Sequence, residues 1–170
     1  MAEELNSYFA SVFTVEDTSG VPELQVSQGA QVSVVAITKE KVLGKLKGLK
    51  VDKSPGPDGI HPRVLKEIAE EIVEALVVIF QESLEAGRVP EDWKVANITP
   101  LFKKGGRQQA GNYRQVSLTS VIDKILESII KDDIAEYLEV HDKVGLSQHG
   151  FVKGWSCLTN LSEFFEEEVR

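Results

Sequence analysis

Apolar residues fall into five stretches with helical spacing, separated by segments that break it. In residues 3–13 the apolar positions are Leu5, Tyr8, Phe9, Val12 and Phe13, which predicts a short amphipathic helix. Residues 14–36 are rich in Ser, Gly, Gln and Val without a sustained period and read as a linker. A second helix is expected from Thr38, whose hydroxyl suits a cap, with Ile37 and Val42 spaced as a hydrophobic staple. Its stripe is Val42, Leu43, Leu46 and Leu49, weakened by Gly44 and Gly48. Pro62 suits a first helical turn. From there Val64, Leu65, Ile68, Ile72, Val73, Leu76, Ile79, Phe80 and Leu84 keep the 3.6 period as far as Gly87, a C-terminal stop. About 25 residues exceeds the usual helix length, so the segment reads as one long helix or two.

The remaining segments are loops, strands and two more helices. Residues 53–60 hold two prolines and two glycines, which excludes helix and central strand. Residues 95–102 carry the β-branched Val95, Ile98 and Thr99 and read as a strand, with Pro100 marking an edge or bulge. A loop at 103–113 separates it from a second short strand at 115–118. Ser120 then caps a strongly periodic helix through Val121, Ile122, Ile125, Leu126, Ile129, Ile130, Ile134, Tyr137 and Leu138. A loop at 145–155 leads into a last helix, with Leu158, Leu161, Phe164 and Phe165 expected inward. The fold class expected is α+β and predominantly helical, with a few short strands. It divides into an N-terminal helix and linker, 1–36, and a body, 37–170.

Composition narrows this picture. The 170 residues, 42% of them hydrophobic, suit a chain with a real core. No run approaches the ~20 apolar residues of a membrane span. The N-terminus lacks a basic region followed by an apolar one, and Cys157 is the only cysteine. These features predict an intracellular chain, cytoplasmic or nuclear.

Charge adds a complication. Nineteen Lys and Arg against 27 Asp and Glu give −8, and such a surface repels phosphate on average. Nucleic-acid binding would need local concentrations of cations. One exists: Lys39, Lys41, Lys45, Lys47, Lys50 and Lys53 are interrupted only by Glu40 and Asp52. Lys45, Lys47, Lys50 and Lys53 are candidate phosphate contacts, with a solvated helix face as the plainer alternative. The acidic excess lies at 67–74 and 163–168.

Four ordered blocks carry further information. They are Ser54-Pro-Gly-Pro-Asp-Gly-Ile-His-Pro62, Val89-Pro-Glu-Asp-Trp-Lys94 with Ile98-Thr-Pro-Leu-Phe-Lys-Lys-Gly105, Asn112-Tyr-Arg-Gln-Val-Ser-Leu-Thr-Ser120, and Ser147-Gln-His-Gly-Phe-Val-Lys-Gly-Trp-Ser-Cys-Leu-Thr-Asn160. In that order they resemble the fingers of reverse transcriptases from non-LTR retrotransposons of the LINE and jockey kind. The segment from Leu5 to Phe13 is similar to one these elements carry ahead of the domain. The chain departs from the pattern at Gln115, where proline is common, and at Val152 and Trp155, where basic residues usually stand.

The resemblance implies a partial fingers region whose palm, with its catalytic aspartates, is absent. Lysine supplies a point charge for phosphate and arginine a bidentate fork. Lys103, Lys104 and Arg114 are therefore the implied contacts of an incoming deoxynucleoside triphosphate, and Gln148, Gly150, Phe151 and Lys153 those of a template strand. The loop at 54–59 is implied to meet template RNA as well. The parent enzyme would need Mg²⁺ held by carboxylates. No cofactor and no catalytic residue is expected in this chain. Lys131-Asp132-Asp133 falls inside a helix, and His61, His141 and His149 have no metal-ligand spacing. The expected function is that of an RNA-directed DNA polymerase fragment, inactive alone. The alternatives are a retained helical module that binds RNA or protein, and a translated relic. Nucleic acid is the implied partner, RNA binding by the chain itself is expected to be weak, and no membrane is involved. Part of the apolar face built from Ile125, Ile129, Phe164 and Phe165 is expected to lie uncovered and drive self-association.

Overall fold

The structure, a computed structural model, describes residues 2–13, 35–145, 148–150, 152 and 154–168. Phe151 and Lys153 lie outside the described residues, as does most of the 14–36 linker. The described chain has six α-helices: α1 (Ala2–Ser11), α2 (Lys39–Lys47), α3 (Pro62–Glu67), α4 (Ala69–Ala86), α5 (Val121–Val140) and α6 (Cys157–Glu168). It has one two-stranded antiparallel sheet, β1 (Asn97–Phe102) paired with β2 (Tyr113–Leu118). Two compact units divide at Ile129–Ile130: one holds α1 to the start of α5, the other the rest of α5 and α6.

Local chemistry accounts for the helix ends. The Thr38 hydroxyl accepts the Lys41 N–H and caps α2, while Ile37 and Val42 of the staple are both buried. The stretch expected as one long helix or two is two, breaking at Ile68, whose backbone leaves the helical region. The His61 Nδ1 accepts the Arg63 N–H and caps α3. Gly87 takes the left-handed conformation after α4, and the Arg88 N–H returns to the Ser83 carbonyl, closing the helix as a Schellman motif does.

Within the first unit α2 packs on α4. Val42, Leu46, Val73 and Phe80 are wholly buried, and the Trp93 ring meets Phe80 edge-on at 5.9 Å. Two ion pairs bracket this contact, Lys39–Glu74 at 2.6 Å and Lys47–Glu70 at 2.5 Å. Exposed pairs are screened by water and contribute little, whereas one buried aliphatic side chain contributes roughly 1.5–3 kcal/mol. Apolar burial therefore holds α2 in place, and the ion pairs fix which lysines turn toward α4.

Burial departs from the helical stripes in three places. Of the α1 stripe only Leu5 and Phe9 are buried; Tyr8, Val12 and Phe13 are exposed. Leu158, Leu161, Phe164 and Phe165 of α6 were expected inward and are all more than half exposed. Of the face expected to be partly uncovered, Phe164 and Phe165 are exposed, whereas Ile125 and Ile129 are 3% and 1% exposed. They sit on the buried stripe of α5 with Val121, Leu126 and Asp123. An isolated helix pattern gives a stripe's direction but not which neighbour fills it.

Candidate nucleic-acid interface

Residues 97–118 contain Lys103, Lys104, Arg107 and Arg114 and no carboxylate. They form a β-hairpin in which Pro100 stands opposite Gln115 and Leu101 opposite Arg114. Pro100 is tolerated because a two-stranded ribbon is all edge. β2 begins at Tyr113, two residues earlier than the sequence pattern predicts, so Tyr113 is a strand residue rather than a loop one and Arg114 lies within the strand.

The tip is tightly organised. The Lys103 N–H donates to the Asn112 carbonyl at 2.8 Å, and the Asn112 side-chain amide donates to the Gly106 carbonyl at 2.8 Å. Gly105 is left-handed and lies against that same amide. The Tyr113 hydroxyl donates to the Arg107 carbonyl at 2.9 Å, while Phe102 and Tyr113 meet edge-on. The Arg107 guanidinium lies 5.4 Å from the centre of the Phe102 ring. A cation over a ring face is attracted by its quadrupole, which restrains the charge without neutralising it. Sequence reasoning missed Arg107, and its signal was the acid-free stretch itself. None of these four cations pairs with a carboxylate among the described residues.

The loop at 54–59 is clamped to the β2–α5 junction. The Ser120 hydroxyl donates to Asp58 Oδ2 at 2.7 Å and accepts the Ile122 N–H, capping α5. Asp58 Oδ1 accepts the Ile60 N–H, a local turn. A Cβ on Gly56 would stand 2.5 Å from the Thr119 carbonyl oxygen, so only glycine allows this approach.

The lysine cluster divides in two. Lys39 and Lys47 are held by Glu74 and Glu70; hydrogen bonding to Lys47 keeps the Glu70 carboxyl below its usual range, and that to Glu74 raises Lys39. Lys45, Lys50 and Lys53 instead line a cleft of about 580 Å³, joined by Lys124 from α5. Of the four candidate phosphate contacts, Lys47 is thus held by an acidic residue over twenty positions away in sequence, whereas Lys50 and Lys53 stand at the cleft.

In the second unit, Gln148 folds back, its amide donating to the Gly150 carbonyl at 2.8 Å. His149 is buried and ties this segment to α6. Its Nδ1 lies 3.0 Å from the Thr159 hydroxyl and its Nε2 contacts the Glu163 carboxylate, with the Trp155 ring edge-on. The Thr159 hydroxyl donates to the Ser156 carbonyl and accepts the Ser156 N–H. The Thr159 hydroxyl thus joins His149 to the first turn of α6. This latch was not legible beforehand, since His149 precedes its partners by 10 and 14 residues.

No group of three or more metal-ligating side chains exists among the described residues. Asp132 lies on α5, beside Lys131 at 3.8 Å, as the sequence pattern predicts. The donors present do not fit the Mg²⁺ implied for the parent enzyme. No described helix is long and apolar enough to cross a membrane.

Comparison with known proteins falls on polymerases of mobile elements. The chain is 29% identical over 117 residues to the RNA-directed DNA polymerase from mobile element jockey of Drosophila melanogaster, matching 68% of this chain and 13% of that protein. It is 26% identical over 170 residues to the retrovirus-related Pol polyprotein from type-1 retrotransposable element R1 of Bradysia coprophila, covering 95% of this chain and 16% of the other. The probable RNA-directed DNA polymerase from transposon BS of Drosophila melanogaster matches at 24% over 156 residues, 91% of this chain and 17% of its own length. No protein-family model matches. The chain is a relative of the non-LTR retrotransposon reverse transcriptases and Pol polyproteins, and it spans less than a fifth of the length of these three relatives.

Proposed function

We propose that this chain corresponds to the fingers part of a reverse transcriptase and contributes phosphate contacts rather than bond-making chemistry. The observation that carries the reading is the acid-free hairpin 97–118, whose four cations stand without carboxylate partners among the described residues. Lys103, Lys104 and Arg114 are the contacts for a deoxynucleoside triphosphate, and Arg107, held over Phe102, adds a fourth charge. Lys45, Lys50 and Lys53 provide phosphate contacts for an RNA strand, and Gln148, Gly150, Phe151 and Lys153 are template contacts by resemblance. RNA is the partner, Mg²⁺ belongs to the complete enzyme, and this chain alone does not extend a primer, because two-metal transfer needs a carboxylate cluster.

Titration of the purified chain with labelled single-stranded RNA over a range of salt concentrations tests this. Binding should weaken with salt, and Lys50→Gln with Lys53→Gln should flatten the log–log slope by about 1.4, roughly 0.7 per contact. Absence of binding at low salt, or an unchanged slope in the double variant, would remove the reading. Primer extension on primed RNA with Mg²⁺ should stay at background.

A second reading, a helical module that binds protein, is favoured by one observation: Leu158, Leu161, Phe164 and Phe165 form an exposed apolar face on α6.

A further inference from the structure

The cleft beside α2 has a composition that phosphate contacts alone do not explain. Its floor is apolar, made by Leu49, Pro62, Leu118, Val121 and Ile125, with Val121 and Ile125 themselves buried in the core. Its rim carries four ammonium groups, Lys45, Lys50, Lys53 and Lys124, against one carboxylate, Asp52. Lys124 is drawn to the cleft edge, where its Nζ donates to the Thr119 carbonyl at 3.2 Å. The volume of about 580 Å³ falls within the roughly 300–1,000 Å³ of small-molecule sites, which are mostly apolar with a few placed polar groups.

An inorganic anion would use the rim and leave the floor wet. A neutral apolar molecule would use the floor and leave Lys50 and Lys53 unmatched. On a chain of net charge −8, Lys50, Lys53 and Lys124 around one concavity concentrate anions there against the average field. We infer that this cleft is a binding site for a small organic anion with an apolar body, an aryl or acyl group bearing one carboxylate, sulfonate or phosphate. The acidic group meets Lys50 and Lys53 and the body lies on Leu49 and Leu118. The inference does not depend on the hairpin contacting a triphosphate.

One wall of the cleft is braced by contacts across the chain. Gly56 and Asp58, a few residues beyond Ser54, fasten that loop to Thr119 and Ser120, between Leu118 and Val121 of the floor.

The probe for the test is anilinonaphthalene sulfonate, an aryl sulfonate whose fluorescence rises in apolar surroundings, titrated into the full chain. Decanoate should displace it, and inorganic phosphate at the same concentration and ionic strength should not. Lys50→Glu with Lys53→Glu should weaken the probe by about tenfold or more, as expected for losing charge-assisted contacts. Leu49→Asn should weaken it too, while Phe164→Ser with Phe165→Ser should leave that affinity unchanged. Thermal melts check that each variant folds, since both lysines are exposed. Loss of probe binding only in the Phe164, Phe165 variant would assign the dye to α6 and overturn the inference. Displacement by phosphate alone, or by single-stranded RNA but not by decanoate, would also overturn it.

Discussion

The Ser120 hydroxyl donates a 2.7 Å hydrogen bond to Asp58 across 62 residues of chain. Ser120 also accepts the Ile122 N–H, so one side chain both starts α5 and anchors the Pro-Gly loop. That junction separates the two charged features of the first unit, because β2 leads from it to the hairpin and α5 from it to the cleft. Hairpin and cleft are positioned by the same few atoms.

The coupling between these two side chains is measurable. Asp58→Ala and Ser120→Ala should each destabilise the fold, and a double-mutant cycle should return about 1 kcal/mol of interaction. Additive effects in urea denaturation would mean that Ser120 acts only as a cap.

Gly56→Ala is expected to cost about 1–3 kcal/mol, since the new methyl meets the Thr119 carbonyl and the Ser120 nitrogen rather than a movable side chain. In a chain of this size each 1 kcal/mol lowers the melting temperature by about 2–4 °C. A melt equal to wild type would contradict the close approach.

Asp123 supplies a pH dependence. It is buried on α5, and burial, followed by Glu127, raises its carboxyl above the ordinary value. The folded chain thus holds this proton to higher pH than the unfolded chain does. Stability falls as pH rises through the unfolded carboxylate range toward the raised value, and the penalty persists above it. Asp123→Asn should therefore gain stability relative to wild type at pH 7 and not at pH 3. A difference in urea midpoint that does not change with pH would count against this origin.

Salt dependence separates the two classes of lysine. If RNA follows the cleft, replacing Lys50 and Lys53 with Gln should flatten the log–log slope by about 1.4, roughly 0.7 for each. Replacing Lys39 and Lys47, already engaged with Glu74 and Glu70, should change it less. Equal effects from both sets would make the division between cleft and ion-paired lysines irrelevant to binding.

The α6 face predicts association. Phe164 and Phe165 are 55% and 56% exposed, beside exposed Leu158 and Leu161. The wild-type chain should self-associate in sedimentation velocity, and Phe164→Ser with Phe165→Ser should shift it toward monomer. A wild type that stays monomeric at high concentration would show that this face is too small to associate.

The sequence by itself determined the elements whose causes are local. Thr38 and Ser120 as caps, Gly87 as a stop and the loop at 53–60 follow from a hydroxyl, a missing Cβ or a fixed proline φ acting within a few residues. The cationic character of the hairpin was likewise visible, because no carboxylate lies within its own 22 positions. Tertiary structure decided what depends on distant partners. It set Lys47 against Glu70 while turning Lys50 and Lys53 to a cleft that Lys124 completes. It buried Ile125 and Ile129, and it brought His149 to Thr159 and Glu163. Periodicity assigns a residue to a face, but burial and pairing depend on what packs against that face, and that is fixed only when the chain closes on itself.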